Sequence, residues 1–323
     1  MMRNIRSYYT LTTIFFAIFI SIVTWIAYPL VYAKMESITS PLPPSLTMID
    51  NNQVTTLDLW FPKETVLGSQ IEKPEITAKA AFVYDLATDK TLFAKNEKTR
   101  LPMASLTKIM TAIIALENKK QNDRYIVSQN NIVGENSMGL TTGEVLTLEE
   151  LLYGLMLASG NDAAEVLAGS YVSSRDGFIQ AMNNKAKALG LLDTDFTNPS
   201  GLQGDGNQYS TAYDLLVITK YALQNFPLFR KIVSTYEYTI PYTETHKAFY
   251  LLNDTNLLTS YPGVKGVKTG YTPEADLCLV TYLDYEGHQI IGVLLGSENR
   301  RGEMKELLDY SLKVLGNKPP LHN

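Results

Sequence analysis

The chain has 323 residues, enough for one large domain or two modest ones with a sizeable core. Apolar residues make up 45%, which excludes a disordered body, and a net charge of -5 without a basic stripe gives no sign of a nucleic-acid partner. The three histidines lack the spacing of a zinc site, so we expect neither a metal nor another cofactor. The single cysteine, Cys278, forms no internal disulfide and is predicted to be a buried residue of a strand.

The first 33 residues predict export. Arg3 and Arg6 precede a stretch from Tyr8 to Ala33 that contains no charged residue. A stretch of this length crosses a bilayer, for which about 20 apolar residues suffice, and basic residues before it place the rest of the chain outside. Val31-Tyr32-Ala33 also fits a signal-peptidase site. An uncleaved anchor and a cleaved signal both remain open, and both predict an extracytoplasmic protein of the cell envelope, membrane-anchored or secreted.

Residues 34–73 predict a linker, because they are rich in proline and show no clear periodicity. The folded domain is predicted to span residues 74–318. Its first elements are two strands, Ala78–Tyr84 and Thr91–Ala94, joined by a turn at Asp85–Lys90.

Helical periodicity dominates the middle of the domain. The predicted helices begin after Ser105, at the capping box of Thr147 and Glu150, at Ala163, at Phe178, and at Ser210 or Thr211. The segment Ser159-Gly160-Asn161 interrupts the second and third of them, and Gly190 is placed to end the fourth.

Strands return near the C-terminus at Val264–Lys268, Leu277–Leu283 and Gln289–Leu295, with a turn at Glu286-Gly287, and Glu303–Leu315 is a closing helix. Hairpin-length turns make adjacent strands antiparallel. The order of elements therefore predicts a three-layer α+β fold. One antiparallel sheet is faced by helices, a helical lobe lies beside the sheet, and a cleft separates the two.

Ser105-Leu106-Thr107-Lys108 places a hydroxyl and an amine on the same helix face. A serine needs a nearby base to become a nucleophile, and a lysine can serve if burial or positive charge lowers its pKa. The helix start also offers amides to an oxyanion. Taken alone, the same pattern describes a helix cap followed by a solvated lysine.

Two further short motifs carry polar groups at breaks in the predicted structure. Ser159-Gly160-Asn161 exposes a hydroxyl and an amide between two helices, although a turn with a helix cap has the same composition. Lys268-Thr269-Gly270 ends a predicted strand, where a cation and a hydroxyl suit a substrate carboxylate and the glycine lets another backbone approach closely.

In order and separation, the three motifs resemble the penicillin-recognising serine enzymes, whose signature is S-x-x-K, S-D-N and K-T-G. The flanks are similar to the low-molecular-mass D-alanyl-D-alanine carboxypeptidases over residues 74–315. The segments that carry this similarity are Pro102–Ala112, Met138–Leu140, Leu151–Ala164, Asn198–Leu202, Tyr209–Asp214 and Tyr261–Thr272. The resemblance implies a β-lactamase/transpeptidase-like fold and an enzyme that trims the terminal D-alanine from peptidoglycan stem peptides.

The resemblance also implies roles for individual residues. Ser105 attacks the carbonyl between the two D-alanines, Lys108 accepts its proton, and Ser159 relays a proton toward the leaving amine. The implied substrate-binding residues are Asn161, Lys268, Thr269, Gly270, Tyr271 and Arg300, with Arg301 as the near alternative to Arg300. The backbone N–H groups of Ser105 and Tyr271 form the implied oxyanion hole, and β-lactams are expected to acylate Ser105.

The chain differs in three places from the pattern of the family that it resembles. Pro273–Asp276 follows K-T-G-x-T where relatives have small residues, and Ser200 stands where a histidine is common. We expect neither difference to touch the catalytic set. No C-terminal β-rich domain is expected, so that membrane attachment falls to the N-terminal segment.

The same fold also hosts β-lactamases and D,D-endopeptidases. Class A β-lactamases use a glutamate outside the S-x-x-K helix for deacylation. Between Asn161 and Tyr236 the sequence has only Glu165, in a predicted helix, which argues against fast deacylation. A non-catalytic wall-binding protein is opposed by the intact motifs. A Ser-His-Asp hydrolase is opposed by the absence of G-x-S-x-G.

Overall fold

The computed structural model describes residues 59–322, except for 65, 68–69, 204–205 and 256. The predicted N-terminal segment 1–33 and residues 34–58 of the predicted linker lie outside the described residues. Within the described part, no helix has both the length and the apolar character needed to cross a membrane.

A five-stranded antiparallel sheet forms the centre of the domain, in the order β2-β1-β9-β8-β7. Its strands are β1 (Ala80–Asp85), β2 (Lys90–Lys95), β7 (Val264–Thr272), β8 (Asp276–Tyr285) and β9 (His288–Ser297). Two small antiparallel pairs accompany it: β3 (Tyr125–Ile126) with β4 (Val145–Leu146), and β5 (Glu237–Ile240) with β6 (Phe249–Leu252). The sequence pattern does not reveal the small pairs, because strands of two to four residues are too short to show a period.

The described helices include, in order, the six that the sequence predicts, together with two short ones that it does not predict. They are α1 (Lys108–Glu117), α2 (Leu148–Met156), α3 (Asn161–Gly169), α4 (Arg175–Ala188), α5 (Ala212–Asn225), α6 (Pro227–Val233), α7 (Leu257–Ser260) and α8 (Arg300–Val314). The capping box of Thr147 and Glu150 begins α2, and Thr211 caps α5. Gly190 follows α4 with a φ of +77°, the conformation that favours glycine after a helix.

Helices cover both faces of the large sheet. Successive residues of a strand point to opposite faces, and Phe82 and Tyr84 of β1 enter the core that the sheet shares with the helical lobe. Val83 lies between them and enters a second core with Leu307 and Leu308 of α8. The predicted three-layer α+β architecture is therefore confirmed.

The chain immediately before the sheet also packs on the domain. Phe61 covers Gly190, whose added Cβ would lie 2.6 Å from the phenylalanine Cζ. Trp60 meets Tyr84 edge to face at 5.4 Å, and the Leu67 N–H donates to the Thr91 carbonyl over 2.8 Å. Trp60, Phe61 and Leu67, which lie inside the predicted linker, therefore pack on the domain although their segment has no periodic pattern.

Candidate active site

Ser105 lies in a single 3-10 turn, Ala104–Thr107, directly before α1. Residues three apart are eclipsed in such a turn, so that the Ser105 and Lys108 side chains point the same way. Ala104 enters the turn with a φ of +48°, and the Thr107 hydroxyl donates to the Ala104 carbonyl over 2.9 Å. Ser105 is half-buried while its neighbours are buried, which presents the hydroxyl at the surface of the turn.

Lys108 is fully buried, and its ammonium nitrogen reaches three oxygens. The distances from Nζ are 3.0 Å to Ser105 Oγ, 2.7 Å to Asn161 Oδ1 and 2.5 Å to the Ser200 carbonyl. A neutral amine has two N–H donors and one lone pair. Because the amide and carbonyl oxygens can only accept, in the neutral form they take both donors and the lone pair is left for the Ser105 hydroxyl, whereas in the ammonium form the third N–H donates to Ser105 Oγ.

The surroundings of Lys108 favour the neutral amine. Burial lowers the pKa of Lys108 well below its usual value, and the nearby cation of Lys268 lowers it further. Asp162 and Glu165 act in the opposite direction but more weakly. The arrangement is therefore that of a general base adjacent to a nucleophilic hydroxyl.

The Ser159-Gly160-Asn161 segment forms a tight corner between α2 and α3. Ser159 is buried and left-handed, with a φ of +55°. Glycine suits the next position, Gly160, because an added Cβ would lie 3.1 Å from the Gly154 carbonyl oxygen. Asn161 begins α3 and uses both ends of its amide: Oδ1 accepts from Lys108, and Nδ2 donates to the Glu135 carbonyl over 2.7 Å.

Asp162 holds the loop beside this corner. Its buried carboxylate accepts the N–H groups of Met138, Gly139 and Leu140 at 3.0, 3.1 and 2.9 Å. Asp162 lies in the segment Leu151–Ala164 that carries the family resemblance, but its spacing alone predicts no role for it. The sequence feature that could have revealed its role is its position directly after Asn161. In the first turn of a helix, a carboxylate at such a position is free to bind the amides of a loop.

The opposite wall of the site is strand β7. Lys268 is buried, donates to the Thr269 carbonyl over 3.1 Å, and has a pKa that burial lowers to about 8. Gly270 lies against the 3-10 turn, since an added Cβ would be 3.1 Å from both the Met103 carbonyl oxygen and the Ser105 nitrogen. The expected close backbone approach at Gly270 is therefore present. The three residues lie within β7 and not at its end, because the β8 ladder continues to Thr272.

Arg300 is the first residue of α8, and its side chain contacts strand β7. Its Nη1 donates to the Gly270 carbonyl over 2.7 Å, and the side chain is half-buried, whereas Arg301 is exposed. Thr269 is buried and Tyr271 is 59% exposed. Of the two arginines that the sequence leaves open, the structure thus brings Arg300 to the wall that carries Lys268.

The loop Asn198–Leu202 forms the floor of the site, a role that the sequence analysis misses. Its Ser200 carbonyl is the third oxygen at Lys108. Gly201 has a φ of +90°, and an added Cβ would lie 2.1 Å from the Ala104 carbonyl oxygen. Ser200 contacts Lys108 through its backbone carbonyl, which any residue at this position would present, whereas its hydroxyl bonds within the loop to Asn198 and Leu202.

Ser105, Lys108 and Asn161 are therefore joined by hydrogen bonds, and Gly270 lies against the nucleophile's turn. Among the described residues, the Ser159, Thr269 and Tyr271 side chains make no hydrogen bond to this cluster. The described part of the chain also has no group of three or more histidines, cysteines or carboxylates suited to hold a metal ion.

Comparison with known proteins places this geometry in context. A family model described as D-alanyl-D-alanine carboxypeptidase matches residues 68–299. A D-alanyl-D-alanine carboxypeptidase of Bacillus subtilis (strain 168) is 37% identical over 243 residues, which cover 72% of this chain and 62% of the relative. Another, from Streptomyces sp. (strain K15), is 36% identical over 267 residues, which cover 76% of this chain and 91% of the relative.

The fold agrees with these sequence matches. The crystal structure of the Streptomyces K15 DD-transpeptidase superposes with a TM-score of 0.69 at 35% identity, and the match covers 75% of this chain and all of that one. The predicted β-lactamase/transpeptidase-like fold is thus confirmed.

Proposed function

Since this chain belongs to the D-alanyl-D-alanine carboxypeptidase family of serine peptidases, we propose that it removes the terminal D-alanine from peptidoglycan stem peptides. The resemblance inferred from the three motifs is thereby confirmed. The observation that carries the proposal is the position of Lys108, whose buried Nζ has two fixed acceptors and lies 3.0 Å from Ser105 Oγ.

In the acylation step, Lys108 removes the Ser105 proton while the oxygen attacks the carbonyl carbon between the two D-alanines. The N–H groups of Ser105 and Tyr271 would stabilise the oxyanion. The C–N bond then breaks, and the proton passes from Lys108 through Ser159 to the leaving amine. Free D-alanine departs and leaves an ester on Ser105.

In the deacylation step, Lys108 takes a proton from water, and the resulting hydroxide attacks the ester carbonyl. The C–O bond breaks, Ser105 regains its proton, and the shortened peptide leaves. Lys268 and Arg300 supply the positive charge that the substrate's terminal carboxylate requires, while Asn161 holds the substrate backbone.

We propose that β-lactams also acylate Ser105 and that the resulting ester is hydrolysed slowly. Glu165, the residue considered for a deacylating role, is buried in α3 and bound to Arg175 through two contacts of 2.7 and 3.0 Å. This pairing supports a penicillin-binding carboxypeptidase over a β-lactamase. The site is proposed to work outside the cytoplasmic membrane, held there by the N-terminal segment or secreted after its cleavage.

The test uses the full chain, a peptide ending in D-Ala-D-Ala and a fluorescent penicillin. We expect release of D-alanine and covalent labelling, and loss of both in Ser105→Ala. Ser234→Ala, which removes a hydroxyl from an exposed helix end, is the matched control and should retain both. Release of D-alanine by Ser105→Ala would contradict the proposal, and sustained rapid nitrocefin hydrolysis would favour the β-lactamase.

A further inference from the structure

The floor loop is organised around one buried side chain, Asn198, which is 2% exposed. Its Oδ1 accepts from the Gly201 N–H at 2.8 Å and, at 3.2 Å each, from the Ser200 N–H, the Ser200 hydroxyl and Gln208 Nε2. Its Nδ2 donates to the Leu202 carbonyl over 2.7 Å. One amide thus ties together both ends of the turn that carries the Ser200 carbonyl.

This turn cannot shift without moving the reacting groups. The Ser200 carbonyl lies 2.5 Å from Lys108 Nζ, and Gly201 presses on the Ala104 carbonyl of the nucleophile's turn. The Thr111 hydroxyl of α1 donates to the Pro199 carbonyl over 2.6 Å and fixes the other side of the loop. The position of the Ser200 oxygen is therefore set by Asn198 on one side and by α1 on the other.

We propose that Asn198 is a positioning residue, which holds the Ser200 carbonyl against Lys108 and thereby aims the lone pair of Lys108 at Ser105. The proposal rests on the proposed function. A neutral amine that loses one of its two acceptors can rotate, and its free N–H then competes for the Ser105 oxygen. The base is misdirected even though every atom of Ser105 and Lys108 is still present.

The Ser200 oxygen also influences the proton affinity of Lys108. A carbonyl oxygen at hydrogen-bond distance favours the ammonium form, so that its loss lowers the pKa of Lys108. A negative charge at residue 198 favours the ammonium form more strongly and raises that pKa. The charged groups that already act on Lys108 are Lys268 from β7 and Asp162 and Glu165 from α3, and none of them changes in either variant.

The experiment compares Asn198→Ala and Asn198→Asp with the wild-type full chain. The rate of penicillin acylation is measured against pH, because that step reports the base directly. Asn198→Ala should slow acylation about ten- to a hundredfold, as expected when a catalytic group is misplaced by roughly 1 Å. In the plot of acylation rate against pH, the rise on the acidic side (the acidic limb) should move to lower pH in Asn198→Ala. The same limb should move to higher pH in Asn198→Asp, and each shift should be about one pH unit.

Asn183→Ala is the matched control. Asn183 likewise clamps a backbone segment, because its amide exchanges two 2.8 Å hydrogen bonds with Phe196, which precedes the floor loop. This variant should lose some thermal stability and keep the wild-type pH limb. An unchanged limb in both Asn198 variants, a shift in the same direction in both, or failure of both to fold would overturn the proposal. If the wild type neither releases D-alanine nor binds penicillin, the proposed function itself fails.

Discussion

The two walls of the cleft are built in different ways. The wall that carries Ser105 and Ser159, taken together with the floor loop, is irregular, and hydrogen bonds and close contacts hold its residues Ala104, Ser159 and Gly201 in left-handed conformations. The wall that carries Lys268 and Gly270 is strand β7, whose pairing with β8 keeps a regular register from Val267 to Thr272. Groups that transfer protons need precise, unusual directions, which strained corners supply. A group that binds a carboxylate needs a positive charge at a fixed position, and a paired strand holds its side chains in such positions.

The largest effect is expected when the irregular wall loses its base. Lys108→Met should slow acylation of Ser105 by about a thousandfold, in the range typical of general bases. The change keeps an unbranched apolar stem and removes the amine at 3.0 Å from the hydroxyl. Stopped-flow labelling with fluorescent penicillin measures the rate, and Lys231→Met, at an exposed lysine, is the control. A rate within tenfold of the wild type would show that another group acts as the base.

The second prediction compares one glycine from each wall. Gly201→Ala should cost about 3 kcal/mol of unfolding free energy, because the Cβ meets a backbone oxygen and the φ is positive. Gly270→Ala should cost about 1 kcal/mol, because its closest contacts are at 3.1 Å. Gly287→Ala, with a positive φ and no neighbour within 4 Å, isolates the conformational cost. Equal losses at Gly201 and Gly287 in urea denaturation would refute the close approach.

The third prediction concerns the protonation of the regular wall. The pKa of Lys268 is about 8, so that the lysine loses its charge as the pH rises through this value. If the charge binds the substrate carboxylate, kcat/KM should fall about tenfold per pH unit above that pKa. Lys268→Arg keeps the charge at high pH and should remove this basic limb. If the fall in kcat/KM at high pH persisted in Lys268→Arg, another group would be responsible for it.

The smallest effect is expected at Arg300, which contacts the same strand through the Gly270 carbonyl. Arg300→Ala should raise KM for the peptide about tenfold, as for the loss of one charged hydrogen bond, with little change in kcat. Arg301→Ala should alter KM less than about twofold, because an exposed cation is screened by water. Steady-state assays of D-alanine release compare the two variants. A larger effect at Arg301 would reverse the assignment that the contact with Gly270 supports.

Periodic and end-marking signals made much of the fold predictable. The amphipathic pattern, the capping box of Thr147 and Glu150, and the glycine after α4 indicate their elements because these signals act within one or two turns. The three strands near the C-terminus were also predicted in the right order, although each of them is longer in the structure than in the prediction. The packed residues before the sheet were missed, because Phe61 and Trp60 gain their role only from Gly190 and Tyr84, which are distant in the sequence.

The site divides in a similar way. Residue types and spacing were sufficient to select Ser105, Lys108 and Asn161, since S-x-x-K and its partner motifs name the groups that the chemistry requires. Spacing could not reveal that Asn198 and Asp162 hold backbone loops in place. It also could not choose between Arg300 and Arg301, because adjacent residues point in different directions only once the helix has a fixed orientation.

The sequence alone therefore determined which functional groups the protein has and in what order the chain presents them, because local pattern and motif spacing act over a few residues. The tertiary structure decided what those groups can do. Burial of Lys108, the direction of its lone pair, and the approach of Gly201 and Gly270 to the nucleophile's turn all depend on segments up to 166 residues away. Desolvation and hydrogen-bond geometry arise only when such segments meet.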